Sequence, residues 1–213
     1  MNLPDPPILL ITDQTMVRIP LEVALDRAFQ GGCRWVMARE KDMEPANRMK
    51  LIESIMNVAE PYNAKVLVNS DIKAAEIAHG IHLPQGQSYT EARAILGKDK
   101  LIGISAHTIC EAGAAEYVGA DYATISPVFS SQSKPGYGPP LEIDGLKEIV
   151  QRVSIPLLAL GGVTAPRVLS CRRAGAAGIA VMGAIMRASD PAVPIYDILK
   201  QWYVADEETA EGI

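Results

Sequence analysis

The chain has 213 residues, of which 48% are hydrophobic and 21% charged, and a formal net charge of −5. A chain of this length can bury roughly 70% of its unfolded surface, so it needs neither disulfides nor a structural metal to fold. The acidic balance, with a pI near 5.3, argues against a nucleic-acid-binding surface, which carries a basic footprint.

No apolar run reaches the ~20 residues of a membrane helix. The start MNLPDPPILLITD lacks the charged n-region of a signal peptide. Cys33, Cys110 and Cys171 are odd in number and show no metal-ligand spacing. The expectation is a cytoplasmic protein with reduced thiols that binds neither nucleic acid nor membrane.

Short apolar runs alternate with stretches of helical spacing. In chain order they are ILLIT (8–12) and a helix over 20–30, RWVMA (34–38) and a helix over 45–60, and KVLVN (65–69) and a helix over 71–78. GIHL (80–83) precedes a helix over 89–96, LIGIS (101–105) one over 109–118, and DYATIS (121–126) one over 143–153. PLLAL (156–160) leads to a helix over 165–174 and GIAVM (178–182) to one over 191–203.

The runs are apolar throughout instead of alternating, as parallel strands buried on both faces require. Gly31, Gly97, Gly119 and Gly175 fall just past helices, where a left-handed residue is expected. Eight β–α units in this length predict an α/β fold of (β/α)8 TIM-barrel type. A doubly wound sheet would want a GxGxxG turn after the first strand, and ITDQTM has no glycine. One domain over 1–213 is expected, with the acidic tail 204–213 fraying.

In such a barrel the chemistry lies at the C-terminal strand ends. Those ends carry Arg39-Glu40-Lys41, Asn69-Ser70-Asp71, His82, and Ser105-Ala106-His107. They also carry the loop SPVFSSQSKPGYGPP with Ser131, Ser133 and Lys134, then Gly161-Gly162 and Met182-Gly183. Two adjacent glycine turns, the second opening a short helix over 183–188, predict a phosphate site built on bare backbone N–H groups. Arg39, Lys41 and Lys134 supply cations beside it. His107 is the candidate catalytic residue, because imidazole titrates near neutral pH. His79, His82, Trp35, Trp202 and Met37 read as structural.

The segments ITD, AREKD, VLVN, GISAHT.EA, GADYATISPVF, IPLLALGGVT and AGAAGIAVMGAI, in order from about 8 to 190, resemble the thiamine phosphate synthase/TenI superfamily. The resemblance implies a barrel that binds a phosphorylated thiazole or thiamine phosphate, assembly as a homodimer, and one of two activities. Synthases join hydroxymethylpyrimidine diphosphate to thiazole phosphate with Mg²⁺, releasing pyrophosphate. TenI-like members resemble thiazole tautomerases, which aromatise a carboxythiazole phosphate.

Where synthases carry QLREKD, ND and GQ.D, this chain has Met37, Ser70 and Gln87 at the glutamine and the two metal-binding aspartates. Mg²⁺ wants carboxylate oxygens, so no metal site is expected. The preferred expectation is a cofactor-free, TenI-like thiazole tautomerase using His107. Arg39, Lys41, Asn69, Ser105, Ser131, Ser133, Lys134, Gly162, Met182 and Gly183 would hold substrate and phosphate. A thiamine phosphate synthase needing Mg²⁺ is the alternative, and a non-catalytic thiamine-phosphate-binding protein the third reading.

Overall fold

The structure, a computed structural model, describes residues 2–40, 43–131 and 138–210. Eight parallel strands close on themselves in sequence order: Ile8–Ile11 (β1), Trp35–Ala38 (β2), Lys65–Asn69 (β3), Gly80–Leu83 (β4), Leu101–Ala106 (β5), Tyr122–Ile125 (β6), Leu157–Leu160 (β7) and Gly178–Val181 (β8). The helices between them are Leu21–Gln30 (α1), Pro45–Ala59 (α2), Ile72–Ala75 (α3), Tyr89–Leu96 (α4), Ile109–Tyr117 (α5), Glu142–Val150 (α6) and Ala165–Arg173 (α7). Gly183–Met186 (α8) and Ala192–Ala210 (α9) follow β8. This is the (β/α)8 barrel expected from the spacing of the apolar runs.

Two differences from the sequence reading have physical causes. Gly31 takes a right-handed conformation (φ −69°), and the left-handed residue is Gly32 (φ 103°). Gly31 is required for space instead, since a Cβ there would lie 2.6 Å from the Ala192 carbonyl oxygen. The last helix continues to Ala210, past the end expected at 203. Alanine and glutamate, which recur there, are strong helix formers.

Period-two alternation along each strand divides the apolar residues into two clusters. Ile8, Leu10, Val36, Ala38, Val66, Val68, Ile81 and Leu83 face the helices and join the large outer core. Leu9, Ile11, Trp35, Met37, Leu67, Leu101, Tyr122, Leu158 and Ala180 fill the barrel interior. Trp35 meets Tyr122 edge-on there, with ring centroids 5.0 Å apart. Met37 is barrel filling, as expected.

Continuing the same alternation one layer toward the C-terminal ends brings Arg39, Asn69, His82, Ser105 and Thr124 into line with the inward positions. The interior thus changes from apolar to polar as it approaches the mouth. Among the described residues, no helix is long and apolar enough to cross a membrane.

The ends of β1 and β2 are tied by a buried polar knot. Thr12 Oγ1 donates to Glu40 Oε1 (2.7 Å) and accepts the Arg39 N–H (2.9 Å), while the Gln14 N–H reaches both Glu40 oxygens (3.2 and 3.1 Å). Glu40 is therefore an anchor that holds the first loop and presents Arg39, not part of a solvated charge run. Replacing Thr12→Val leaves the buried carboxylate and the Arg39 N–H short of a partner. It should cost about 1–3 kcal/mol, seen as a lower urea midpoint at unchanged slope.

Candidate active site

The C-terminal strand ends converge on a cavity of about 1850 Å³. Of the residues assigned from sequence, Arg39, Asn69, Ser105, His107, Ser131, Gly162, Met182 and Gly183 all line it. Lys41, Ser133 and Lys134 lie outside the described residues.

The glycine turns are neighbours because Leu160 pairs with Ala180 in the β7–β8 register. Gly161 and Gly162 both have positive φ (97° and 63°), which glycine alone adopts without strain. The loop after β6 lies against this turn, with the Val128 N–H on the Leu160 carbonyl (2.8 Å) and the Phe129 N–H on the Gly161 carbonyl (3.0 Å).

A Cβ on Gly162 would therefore strike the Ser130 carbonyl and the Phe129 side chain. The bare backbone expected to face an anion is thus also required by a packed loop. Beside this turn, after the neighbouring β8, α8 opens at Gly183, and the N–H groups of a helical first turn have no intrahelical acceptors.

His107 stands at the end of β5. Its Nδ1 is 2.7 Å from the Ser126 carbonyl oxygen, which can only accept, so Nδ1 carries a proton and donates this bond. The His107 backbone N–H donates to Glu111 Oε2 (2.6 Å).

His82 is different. It is 3% exposed, with Nδ1 3.0 Å from the Tyr122 hydroxyl and Nε2 2.9 Å from Ser105 Oγ. Burial, followed by the nearby Arg39 charge, pushes its pKa down to about 3. The ring is neutral at physiological pH and cannot shuttle protons there, in keeping with its structural reading from sequence.

At the ends of β3 and β4, Ser70 is left-handed (φ 67°). The Asn69 amide donates to its hydroxyl (2.8 Å) and the Gln87 amide to its carbonyl (2.7 Å). Asp71 caps α3 by accepting the Ala74 N–H (3.0 Å) and takes the Arg48 guanidinium at 2.6 Å. Burial raises the Asp71 pKa, but the Ala74 N–H and Arg48 outweigh it and hold the carboxyl below its ordinary 3.8.

Sequence reasoning missed Arg48, Arg167 and Arg187, which join Arg39 around the cavity. Arg167 donates to the Gly162 carbonyl (2.8 Å) and stacks 4.5 Å from the Phe129 ring centre. Arg48 and Arg167 lie in the first turns of α2 and α7 and Arg187 just past α8, so their place after a strand end was a usable signal.

Because the folded-state pKa of Asp71 is depressed, its stabilisation is fully present above the ordinary carboxylate range. It is lost as pH falls through the lowered value. Asp71→Asn, whose amide oxygen can still cap α3, should therefore be less stable than the parent at neutral pH by about 0.5–1 kcal/mol for the lost, partly exposed pair. The gap should close in acid, as measured by urea unfolding at the two pH values.

The profile of the family described as thiamine monophosphate synthase matches residues 8–185. The thiamine-phosphate synthase of Clostridium novyi is 37% identical over 185 residues, covering 85% of this chain and 91% of that protein. That of Chlorobium phaeobacteroides is 35% identical over 192 residues, covering 89% and 93%. Among solved structures, a thiamine phosphate pyrophosphorylase from Pyrococcus furiosus superposes with a TM-score of 0.83 at 26% identity, covering 92% of this chain and 95% of that one. A barrel whose mouth gathers these glycine turns, arginines and His107, matched by relatives across nearly its whole length, belongs to the thiamine phosphate synthase/TenI family of thiamine-biosynthesis enzymes.

Proposed function

We propose that this chain is a thiamine phosphate synthase, joining a hydroxymethylpyrimidine diphosphate to thiazole phosphate. The observation that carries this reading is the agreement of full-length relatives bearing that name with a mouth suited to polyanions. Four arginines, Arg39, Arg48, Arg167 and Arg187, line the described mouth beside the two glycine turns. In the reaction the C–O bond between the pyrimidine methylene and the diphosphate breaks, and pyrophosphate leaves with the electron pair. The thiazole nitrogen then forms the new C–N bond. The chain's task is to orient two ring substrates and stabilise the departing charge, for which fixed guanidinium groups are suited.

The described residues do not fit the Mg²⁺ that the superfamily resemblance implies. The carboxylates lining the described mouth are Glu40 and Asp71. The first is taken by Thr12 and Gln14, the second by Arg48 and Ala74. Ser70 and Gln87 offer only neutral oxygens, and among the described residues no three His, Cys, Asp or Glu cluster as a metal site. In this reading Arg39, Arg167 and Arg187 neutralise the departing charge, while Arg48 is held by Asp71.

The same carboxylate-poor corner favours a second reading, a thiazole tautomerase. That reaction has no leaving group, and His107 Nε2 would move a proton between ring positions.

Purified protein given both synthase substrates should form thiamine phosphate, detected by chromatography, in EDTA as well as in Mg²⁺. Arg39→Met should lower the rate by about tenfold or more, as loss of one charge-assisted contact does. No product under either condition, together with aromatisation of the carboxythiazole phosphate, would replace this reading with the tautomerase. Product in Mg²⁺ alone would keep the synthase and remove the arginine account.

A further inference from the structure

From the polar chain inside the barrel, we infer that Tyr122 and His82 are positioning residues that turn the Ser105 hydroxyl into a hydrogen-bond donor aimed at the bound substrate. The inference rests on the cavity being the substrate site, and it adds a direction to a contact otherwise ambiguous in sense. A serine hydroxyl can donate or accept, and which it does here is decided two residues deeper in the barrel.

The three groups form one line: Tyr122 hydroxyl, His82 Nδ1 (3.0 Å), His82 Nε2, Ser105 Oγ (2.9 Å). Tyr122 is fully buried and His82 nearly so, while Ser105 is partly exposed and lines the cavity. Among the described residues the Tyr122 hydroxyl has His82 Nδ1 as its one hydrogen-bond partner.

If Nδ1 bore the proton, the tyrosine O–H would be a buried donor without an acceptor, which costs the full desolvation of that group. The arrangement that leaves no donor stranded has tyrosine donating to Nδ1 and Nε2–H donating to Ser105 Oγ. Ser105 then accepts from below, and its own proton is available to the cavity. Thr124 Oγ1, at 3.5 Å from Nε2, is too distant to displace Ser105 as the acceptor.

The strand register protects this chain. Gly103 pairs with Tyr122 across β5 and β6, and any Cβ at Gly103 would overlap the tyrosine ring and its hydroxyl. Glycine at 103 is thus the space that lets the phenol reach His82.

The test has a spectroscopic and an energetic arm. Long-range ¹H–¹⁵N spectra of histidine-labelled protein should show the His82 proton on Nε2, Nδ1 unprotonated, and no titration across the neutral range. A proton on Nδ1, or a ring that titrates near neutrality, would overturn the inference. By calorimetry, Tyr122→Phe, which keeps the ring and removes the O–H, should weaken thiazole phosphate binding by about fivefold, the worth of one neutral hydrogen bond. Inorganic phosphate should bind that variant as it binds the parent.

Placed in a Ser105→Ala background, Tyr122→Phe should add nothing further, because residues acting through one contact are not additive. Full additivity, or unchanged thiazole phosphate affinity in a folded Tyr122→Phe variant, would show that the tyrosine merely packs and would refute the inference. Should the parent bind neither phosphate nor thiazole phosphate, the substrate-site reading fails, and the tautomer spectrum alone still decides the orientation of this chain.

Discussion

A parallel strand carries unpaired N–H and C=O groups along both edges, and this fold removes every such edge by pairing β8 with β1. Closure has a second consequence. Because all strands run the same way, all eight C-terminal ends emerge at one rim, and residues distant in sequence become neighbours. Arg39, Asn69, Ser105, Gly162 and Gly183 share one cavity for that reason. The outer layer of helices buries the alternate side chains of the same strands, so the rim is held by the core and not by the loops themselves.

Within the rim, charge and neutrality are distributed by burial. His82, enclosed and next to Arg39, is kept uncharged. His107, at the end of β5, is held by the Ser126 carbonyl. The two imidazoles, on the adjacent strands β4 and β5, are thus held differently, one enclosed within the barrel and one at the cavity. The carboxylates are likewise committed, Glu40 to backbone and hydroxyl donors and Asp71 to Arg48 and a helix cap. What remains at the rim is largely cationic and backbone N–H character, which suits phosphorylated ligands.

The loop after β6 and the turn after β7 form one packed unit. The Val128 and Phe129 N–H groups bond to that turn, and Arg167 ties it to the Phe129 ring. Glycine at 161 and 162 is needed for positive φ and for this close approach together. The shape of this side of the rim is thus a product of loop packing as much as of bare backbone.

The sequence by itself determined the fold class and most of the rim. Uniformly apolar runs at regular spacing specify strands buried on both faces, and polar residues immediately after each run must lie at the strand ends, whatever the details. β3 and β4, for example, run over the residues that the apolar pattern marks. Direction and pairing were not legible in it. Whether Glu40 points to solvent or to Thr12, whether Asp71 is open or held by Arg48, and which atom of Gly162's surroundings a Cβ would meet all depend on neighbours from other β–α units.

The same holds for Tyr122, which the one-dimensional pattern marks only as another strand residue. Its hydroxyl acquires meaning because the β4–β5–β6 register sets Gly103 beside both it and His82. Hydrogen-bond sense is a property of three-dimensional enclosure: only when a donor is sealed from water does the identity of its one available acceptor decide where the proton sits.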